Sequence, residues 1–238
     1  MLAEWGLIEW TYAMGVSRMR PLWLLFAALP SSAAAAAVDE GLCRNGTFPV
    51  ENSSFAQGTV GGSGRAHFFH DMQGCPKASA KCRLKSYLVA GDRVVTGRTR
   101  GAFVCAYSPG KGGGTAGWIE AGRIRLLPIP HDPPLAAWTG RWSDEGNPRI
   151  RFYIERSALM VEGEAAWPSF NPSTEDFPGG PNVGEIGEPV RTSANRAYAR
   201  ECGITFTLLH DLLVAADPEM RCGGMNVSFS GVYRRSGR

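Results

Sequence analysis

Six cysteines, at positions 43, 75, 82, 105, 202 and 222, carry the most obvious covalent chemistry in this 238-residue chain. Thiols in an even number can bind a metal or close disulfides, and spacing separates the two. No Cys-x-x-Cys pair occurs, and Cys75 and Cys82 stand too far apart for a standard zinc knuckle, so no metal site is expected. His67 and His70 lie three apart, which on a strand points them to opposite faces and prevents shared ligation. Ser108-Pro109-Gly110-Lys111 satisfies a Ser-x-x-Lys pattern formally. That chemistry needs the two side chains one turn apart on a helix, and Pro-Gly between them opposes a helix. The acidic pairs Glu162/Glu164 and Glu175/Asp176 fall in strand-like or loop contexts and read as solvated charges. A Gly-x-Ser-x-Gly elbow, a His-Glu-x-x-His helix and a phosphate loop are all missing from the sequence. Binding without catalysis, metal or cofactor is therefore expected.

The N-terminus sets the compartment. Arg18 and Arg20 precede the apolar run Leu22 to Leu29, and small residues follow from Ser31 to Ala37. A basic stretch, a short apolar stretch and an Ala-x-Ala site, in that order, describe a cleaved export signal. The run falls well short of the roughly 20 residues a spanning helix requires. Residues 1–37 are read as this signal, with Met14 or Met19 as natural starts behind an upstream extension and cleavage between Ala35 and Val38. All six cysteines follow that site, and in an oxidising compartment an even count reads as disulfides. Six cysteines permit 15 connectivities, so the sequence alone leaves the pairing open. Economy favours Cys202–Cys222 first and Cys75–Cys82 next, with Cys43 and Cys105 as the remainder. A periplasmic or secreted location follows as an expectation.

Thirty glycines and sixteen prolines, with few long helical patterns, favour short strands joined by turns. The net charge of +3 is unevenly spread: residues 38–130 hold 12 Lys+Arg against 6 Asp+Glu, whereas residues 131–238 hold 11 against 14. The first half thus favours anionic partners, although scattered basic residues and export argue against nucleic acid. Pro128-Ile129-Pro130-His131-Asp132-Pro133-Pro134 cannot continue a central strand and separates two expected β domains, 38–130 and 131–238. Gly58 to Gly64 reads as a flexible approach to the first strand, and Pro168 to Pro189 as a long loop.

Between Ser79 and Leu127 the pattern is strand-like throughout. Val89-Ala90-Gly91-Asp92-Arg93-Val94, Gly101-Ala102-Phe103-Val104-Cys105-Ala106 and Thr115-Ala116-Gly117-Trp118-Ile119 together resemble the bacterial SH3-like (SH3b) family. The second motif departs from that family's pattern, with Phe103 for a Trp and Ala106 for a Val. The resemblance implies a small barrel that binds peptides or peptidoglycan-type glycopeptides in a shallow aromatic groove. Carried over, it makes Tyr87, Asp92 and Tyr107 the candidate ligand-binding residues, with Phe103 and Trp118 assigned to the core.

In the second half Arg149 to Ile154 alternates with period two. Gly203 to Leu209 and Leu212 to Ala216 flank a hairpin turn at His210-Asp211, and Asn226 to Tyr233 reads as a final strand. The opening Trp138-x-Gly140-x-Trp142 and the closing Phe229-x-Gly231-x-Tyr233-x-Arg235 loosely resemble lipocalin-like meander barrels. The expected fold is all-β: a signal, an SH3-like small barrel with a disulfide-stapled arm, and an antiparallel barrel or sandwich. The expected function is an exported, monomeric, non-catalytic binding protein with peptidoglycan or an envelope protein as partner and no membrane span. A periplasmic protein-binding inhibitor or assembly partner is the alternative.

Overall fold

The computed structural model describes residues 41–110, 113–144, 149–168 and 179–236. The expected export signal, Lys111 and the Glu175/Asp176 pair lie outside the described residues. The chain is all-β, with two four-residue α-helices among the described residues, α1 (Phe48–Glu51) and α2 (Leu135–Trp138). Among the described residues no helix is long and apolar enough to cross a membrane. Asp39–Arg238 forms one compact unit containing a seven-stranded sheet and a closed barrel.

The sheet comprises β1 (Ala56–Val60), β2 (Ala66–Phe69), β3 (Arg83–Leu88), β4 (Arg93–Arg100), β5 (Phe103–Gly110), β6 (Gly113–Glu120) and β7 (Ile124–Leu126). Its order is β3-β2-β6-β5-β4-β1-β7, every pair antiparallel, with β3 and β7 as edges. Successive side chains alternate between faces, and here both faces are buried. Val60, Phe68, Val94, Ala106 and Ile119 pack on one side, while Phe69, Val95, Cys105, Tyr107 and Trp118 pack on the other. That is why Ala102 to Tyr107 is almost continuously apolar.

Gly58 lies inside β1, where a flexible approach was expected. A Cβ there would stand 2.9 Å from Ile124 Cγ2 and 3.0 Å from the Arg125 carbonyl, so the glycine lets β7 run alongside.

A short arm covers the second face. The Cys43–Cys105 disulfide ties it to β5 with a Cα–Cα distance of 5.6 Å. Arg44 pairs with Asp71 at 2.8 Å, and the Cys43 amide donates to the same carboxylate at 2.9 Å. Phe48, 1 % exposed, packs between Phe55 and Tyr107. The other two disulfides are Cys75–Cys82 and Cys202–Cys222, so three bonds use all six cysteines. They are compatible with an oxidising environment.

The barrel runs β8 (Gly140–Ser143), β9 (Arg149–Glu155), β10 (Ala158–Trp167), β11 (Asn182–Ser193), β12 (Arg196–Ala199), β13 (Ile204–Leu209), β14 (Leu212–Ala216) and β15 (Gly231–Arg235), and β15 closes on β8. The opening and closing motifs meet at this seam. The Arg235 guanidinium lies 4.2 Å from the Trp142 ring centroid and donates to the carbonyls of Ala137 and Thr139. Trp142 Nε1 donates to the Trp138 carbonyl at 3.0 Å, and the buried Tyr233 hydroxyl donates to the Phe229 carbonyl at 2.6 Å. Burial, reinforced by the charges of Asp144 and Asp217, pushes the Tyr233 phenol well above its ordinary value and keeps it a neutral donor.

Two strand boundaries differ from the sequence expectation. The Pro/Gly-rich stretch expected as loop up to Pro189 enters the twelve-residue β11, in which Gly184, Ile186, Glu188 and Val190 face inward. Its inward Glu188 replaces an apolar residue because the amides of Glu201 and Cys202 donate to the carboxylate at 2.8 and 2.9 Å. Conversely Asn226 to Ser230 is not strand. Buried Asp217 captures the Phe229 amide at 2.9 Å and the Ser228 hydroxyl at 3.4 Å, diverting this segment from the ladder.

Sheet and barrel share an apolar layer. Leu209, Leu212, Val214 and Val232, on the outer face of β13–β15, join Phe48, Phe103, Tyr107 and Trp118 in one cluster. The hairpin turn locks the edge of this layer. Gln57 and Arg93 both donate to Asp211, and a His210 ring nitrogen donates to the Pro128 carbonyl at 2.7 Å.

Phe48→Ala should lower stability by roughly 3–5 kcal/mol in urea unfolding, because it opens a cavity that three elements line. Acid should destabilise the protein through two carboxyls. Burial pushes Asp71 up, but the Arg44 and Cys43 hydrogen bonds and the Arg44 charge outweigh it and hold the group below its ordinary value. Burial likewise opposes Asp211, whose hydrogen bonds from Gln57 and Arg93 prevail. Depressed folded values mean stability that is complete above the unfolded value of about 3.9 and lost as pH falls through the folded ones. Melting temperature measured against pH should show this loss, and Asp71→Asn should flatten it.

Candidate functional site

Among the described residues, side chains close the axis of the barrel. Trp138, Trp142, Phe152, Phe206, Phe229 and Tyr233 fill it, all essentially without solvent exposure. An eight-stranded barrel is just wide enough for side chains to fill. The outer surfaces of the fold hold the candidate sites.

The basic half presents one such surface on β3, β2 and the end of β6. Tyr87, on edge strand β3, is 42 % exposed. The Arg65 guanidinium lies 4.2 Å from its ring centroid, and the His67 ring is 5.7 Å away on the paired strand. His67 Nδ1 lies 3.1 Å from the Leu84 carbonyl, so Nδ1 carries the proton and donates. Arg123 positions this group from behind. It donates to the carbonyls of Gly61 at 2.9 Å and Gly64 at 3.3 Å, pinning the glycine loop that leads into Arg65. Arg65, Arg83, Arg123, His67 and Glu120 line a cleft of about 170 Å³ over Phe69 and Ile119. The Arg65 and Arg83 guanidinium groups, one imidazole and an exposed aromatic ring, set against the single Glu120 carboxylate, suit an anionic or sugar-bearing ligand.

The three residues singled out from sequence are not brought together. Tyr87 sits at the cleft's margin. The Asp92 carboxylate accepts the Val89 amide at 2.8 Å and the Asp92 carbonyl accepts the Val60 amide, so this residue shapes the β3–β4 turn. Tyr107 is not the surface residue that its hydroxyl suggested. It is 8 % exposed, stacked near Phe48, with its ring occupying the space where a side chain on Gly114 would stand. Phe103 and Trp118 are buried, as expected of core residues. The signal missed in sequence was Arg65, which follows a glycine run and has no pattern of its own. Only the fold of the loop sets it over Tyr87.

His70, Cys75 and Cys82 present possible ligand atoms within 4.8 Å of one another. The two sulfurs are bonded together, which removes them as thiolate ligands. The His70 ring is engaged as a brace: Nδ1 accepts from the Met72 amide at 3.2 Å and Nε2 donates to the Lys81 carbonyl at 3.0 Å. Ser108 stands on strand β5, and its hydroxyl donates to the Arg93 carbonyl at 3.3 Å. The Ser-x-x-Lys pattern thus begins on a strand rather than a helix.

Fold and surface together define an all-β protein in which a closed eight-stranded barrel is joined to a seven-stranded sheet bearing a basic, aromatic cleft. No family model matches the chain, and no curated protein or solved structure matches it.

Tyr107→Ala should cost roughly 3–5 kcal/mol in chemical denaturation, as for other large buried aromatics. Tyr87→Ala should stay within about 0.5 kcal/mol of wild type, as for most exposed positions. A comparable loss for both would remove Tyr87 from the candidate site.

Proposed function

We propose that this chain is an exported, non-catalytic envelope protein that binds a cell-wall glycopeptide or peptide through the cleft beside Tyr87. The observation that carries the reading is the Tyr87 ring, exposed on an edge strand, stacked by Arg65 and flanked by His67 above an arginine-lined cleft. A sugar ring can stack on the tyrosine while carboxylates of a wall polymer meet the guanidinium groups. The excess of basic residues in 38–130 and the SH3-like motifs of residues 79–127 support the same reading. Three disulfides are consistent with the periplasm or the exterior.

A second reading rests on a different surface. Trp167, Val183 and Met225 are exposed near one rim of the barrel, where Trp167 pairs with Asn182 and Asn182 donates to the Met225 carbonyl at 3.0 Å. Grouped exposed apolar side chains favour a protein partner, as an inhibitor or assembly factor would have.

Co-sedimentation with purified peptidoglycan sacculi tests the first reading. The purified protein should pellet with sacculi at low salt and be released as salt rises, since charges farther apart than roughly 8 Å are screened at physiological ionic strength. Tyr87→Ala and Arg65→Ala should each reduce the pelleted fraction, whereas Tyr198→Ala, at an exposed tyrosine of the barrel, should not. A protein that ignores sacculi at low salt would end the wall-binding reading in favour of a protein partner.

A further inference from the structure

A second candidate site lies on the outer face of the barrel, independent of the Tyr87 cleft. Along β8 to β11 the inward residues include Trp142, Ile150, Val161 and Ile186, all buried. Alternation therefore turns Arg141, Arg149, Arg151, Glu162, Glu164 and Glu185 outward. The strand register arranges them by sign. Arg141 stands opposite Arg151, and Arg151 opposite Glu162; one row along, Arg149 stands opposite Glu164, and Glu164 opposite Glu185. The β8–β9 flank is thus cationic and the β10–β11 flank anionic. These six residues line a cleft of about 750 Å³, within the size range of small-ligand sites.

Half of this arrangement is costly to the free chain, since two cross-strand pairs attract and two repel. Like charges directly opposite on neighbouring strands repel, and the face contains two such pairs, Arg141/Arg151 and Glu164/Glu185. Among the described residues the ion pair formed within this set is Arg151–Glu162, at 2.9 Å. A sheet selected for stability alone would interleave the signs. We propose that this cleft binds a zwitterionic peptide segment, with its carboxylate on the β8–β9 arginines and its ammonium group on the β10–β11 glutamates. Two strand spacings separate the flanks, so the ligand's charges stand roughly 10 Å apart. An extended peptide reaches that distance in about three residues. A second copy of the chain is the poorer occupant: identical faces would meet cleft to cleft and leave the concavity unfilled.

Calorimetric titration of the purified protein with acetyl-Lys-Ala-Ala-Asp-amide tests this at low salt, against the same peptide with norleucine for Lys or Asn for Asp. The mixed-charge peptide should bind about tenfold tighter than either control, the step that one well-placed charge pair supplies. Glu164→Gln with Glu185→Gln should abolish the preference for Lys, and Arg141→Gln with Arg149→Gln the preference for Asp. A readout without ligand accompanies these: Arg141→Gln and Glu185→Gln, each alone, should melt at a higher temperature than wild type, because each removes a repelling pair and leaves Arg151 opposite Glu162 and Arg149 opposite Glu164. Equal affinity for the three peptides, or no binding of any, overturns the proposal. So does a lower melting temperature in both of these single variants, which would assign the charges to the fold. A dimer in sedimentation that dissociates in the double variants overturns it in favour of self-association.

Discussion

The apolar layer between sheet and barrel is the constraint from which most of this architecture follows. A closed antiparallel barrel ordinarily buries one face of each strand and wets the other. Here β13 to β15 also bury their outer side chains, Leu209, Leu212, Val214 and Val232, against Phe48, Tyr107 and Trp118. Left uncovered, that stripe would be a large exposed apolar patch, and such patches recruit partners or aggregate. The sheet covers it, and the arm carrying Phe48 fills the space between them. The polar contacts of His210 and Asp211 then fix the edge of the layer.

Covalent and polar elements act locally around that layer. Each disulfide stays within its own half of the chain, and the Cys43–Cys105 bond holds the start of the arm close enough for Phe48 to reach the core. The carboxylates of Glu188 and Asp217 are buried but spanned by backbone amides, which offsets the desolvation that would otherwise oppose them. These anchors shape irregular segments, the approach to β13 and the approach to β15, that the ladder alone would not hold.

A filled barrel has a functional corollary. With six large aromatic residues filling its axis, the barrel presents its polar side chains on outer faces, where strand alternation places them in rows. The two candidate clefts use this property differently. On β2 and β3, paired strands set His67 beside Tyr87, and a pinned loop adds Arg65. On β8 to β11, register sorts arginines from glutamates across adjacent strands.

Local pattern was enough to read the all-β class, the hairpin at His210-Asp211, and Trp118 and Phe103 as core. Turn chemistry, short apolar runs and residue size report directly on these features. Economy of spacing also anticipated the three disulfides, because Cys202 and Cys222 stand apart from the other four and Cys75 and Cys82 are near neighbours. Tertiary structure decided what one residue's surroundings would be. Tyr107 and Tyr87 look alike in sequence, yet the arm and Gly114 enclose the first while the edge position of β3 exposes the second. β11 escaped notice because two of its four inward positions are Gly184 and Glu188, acceptable there only through contacts with Cys222 and Cys202 far along the chain. Asn226 to Ser230 alternates as a strand should, but Asp217 takes the Phe229 amide and the Ser228 hydroxyl. Period and composition describe what a segment can do alone; which face is covered, and by what, is settled by segments distant in sequence.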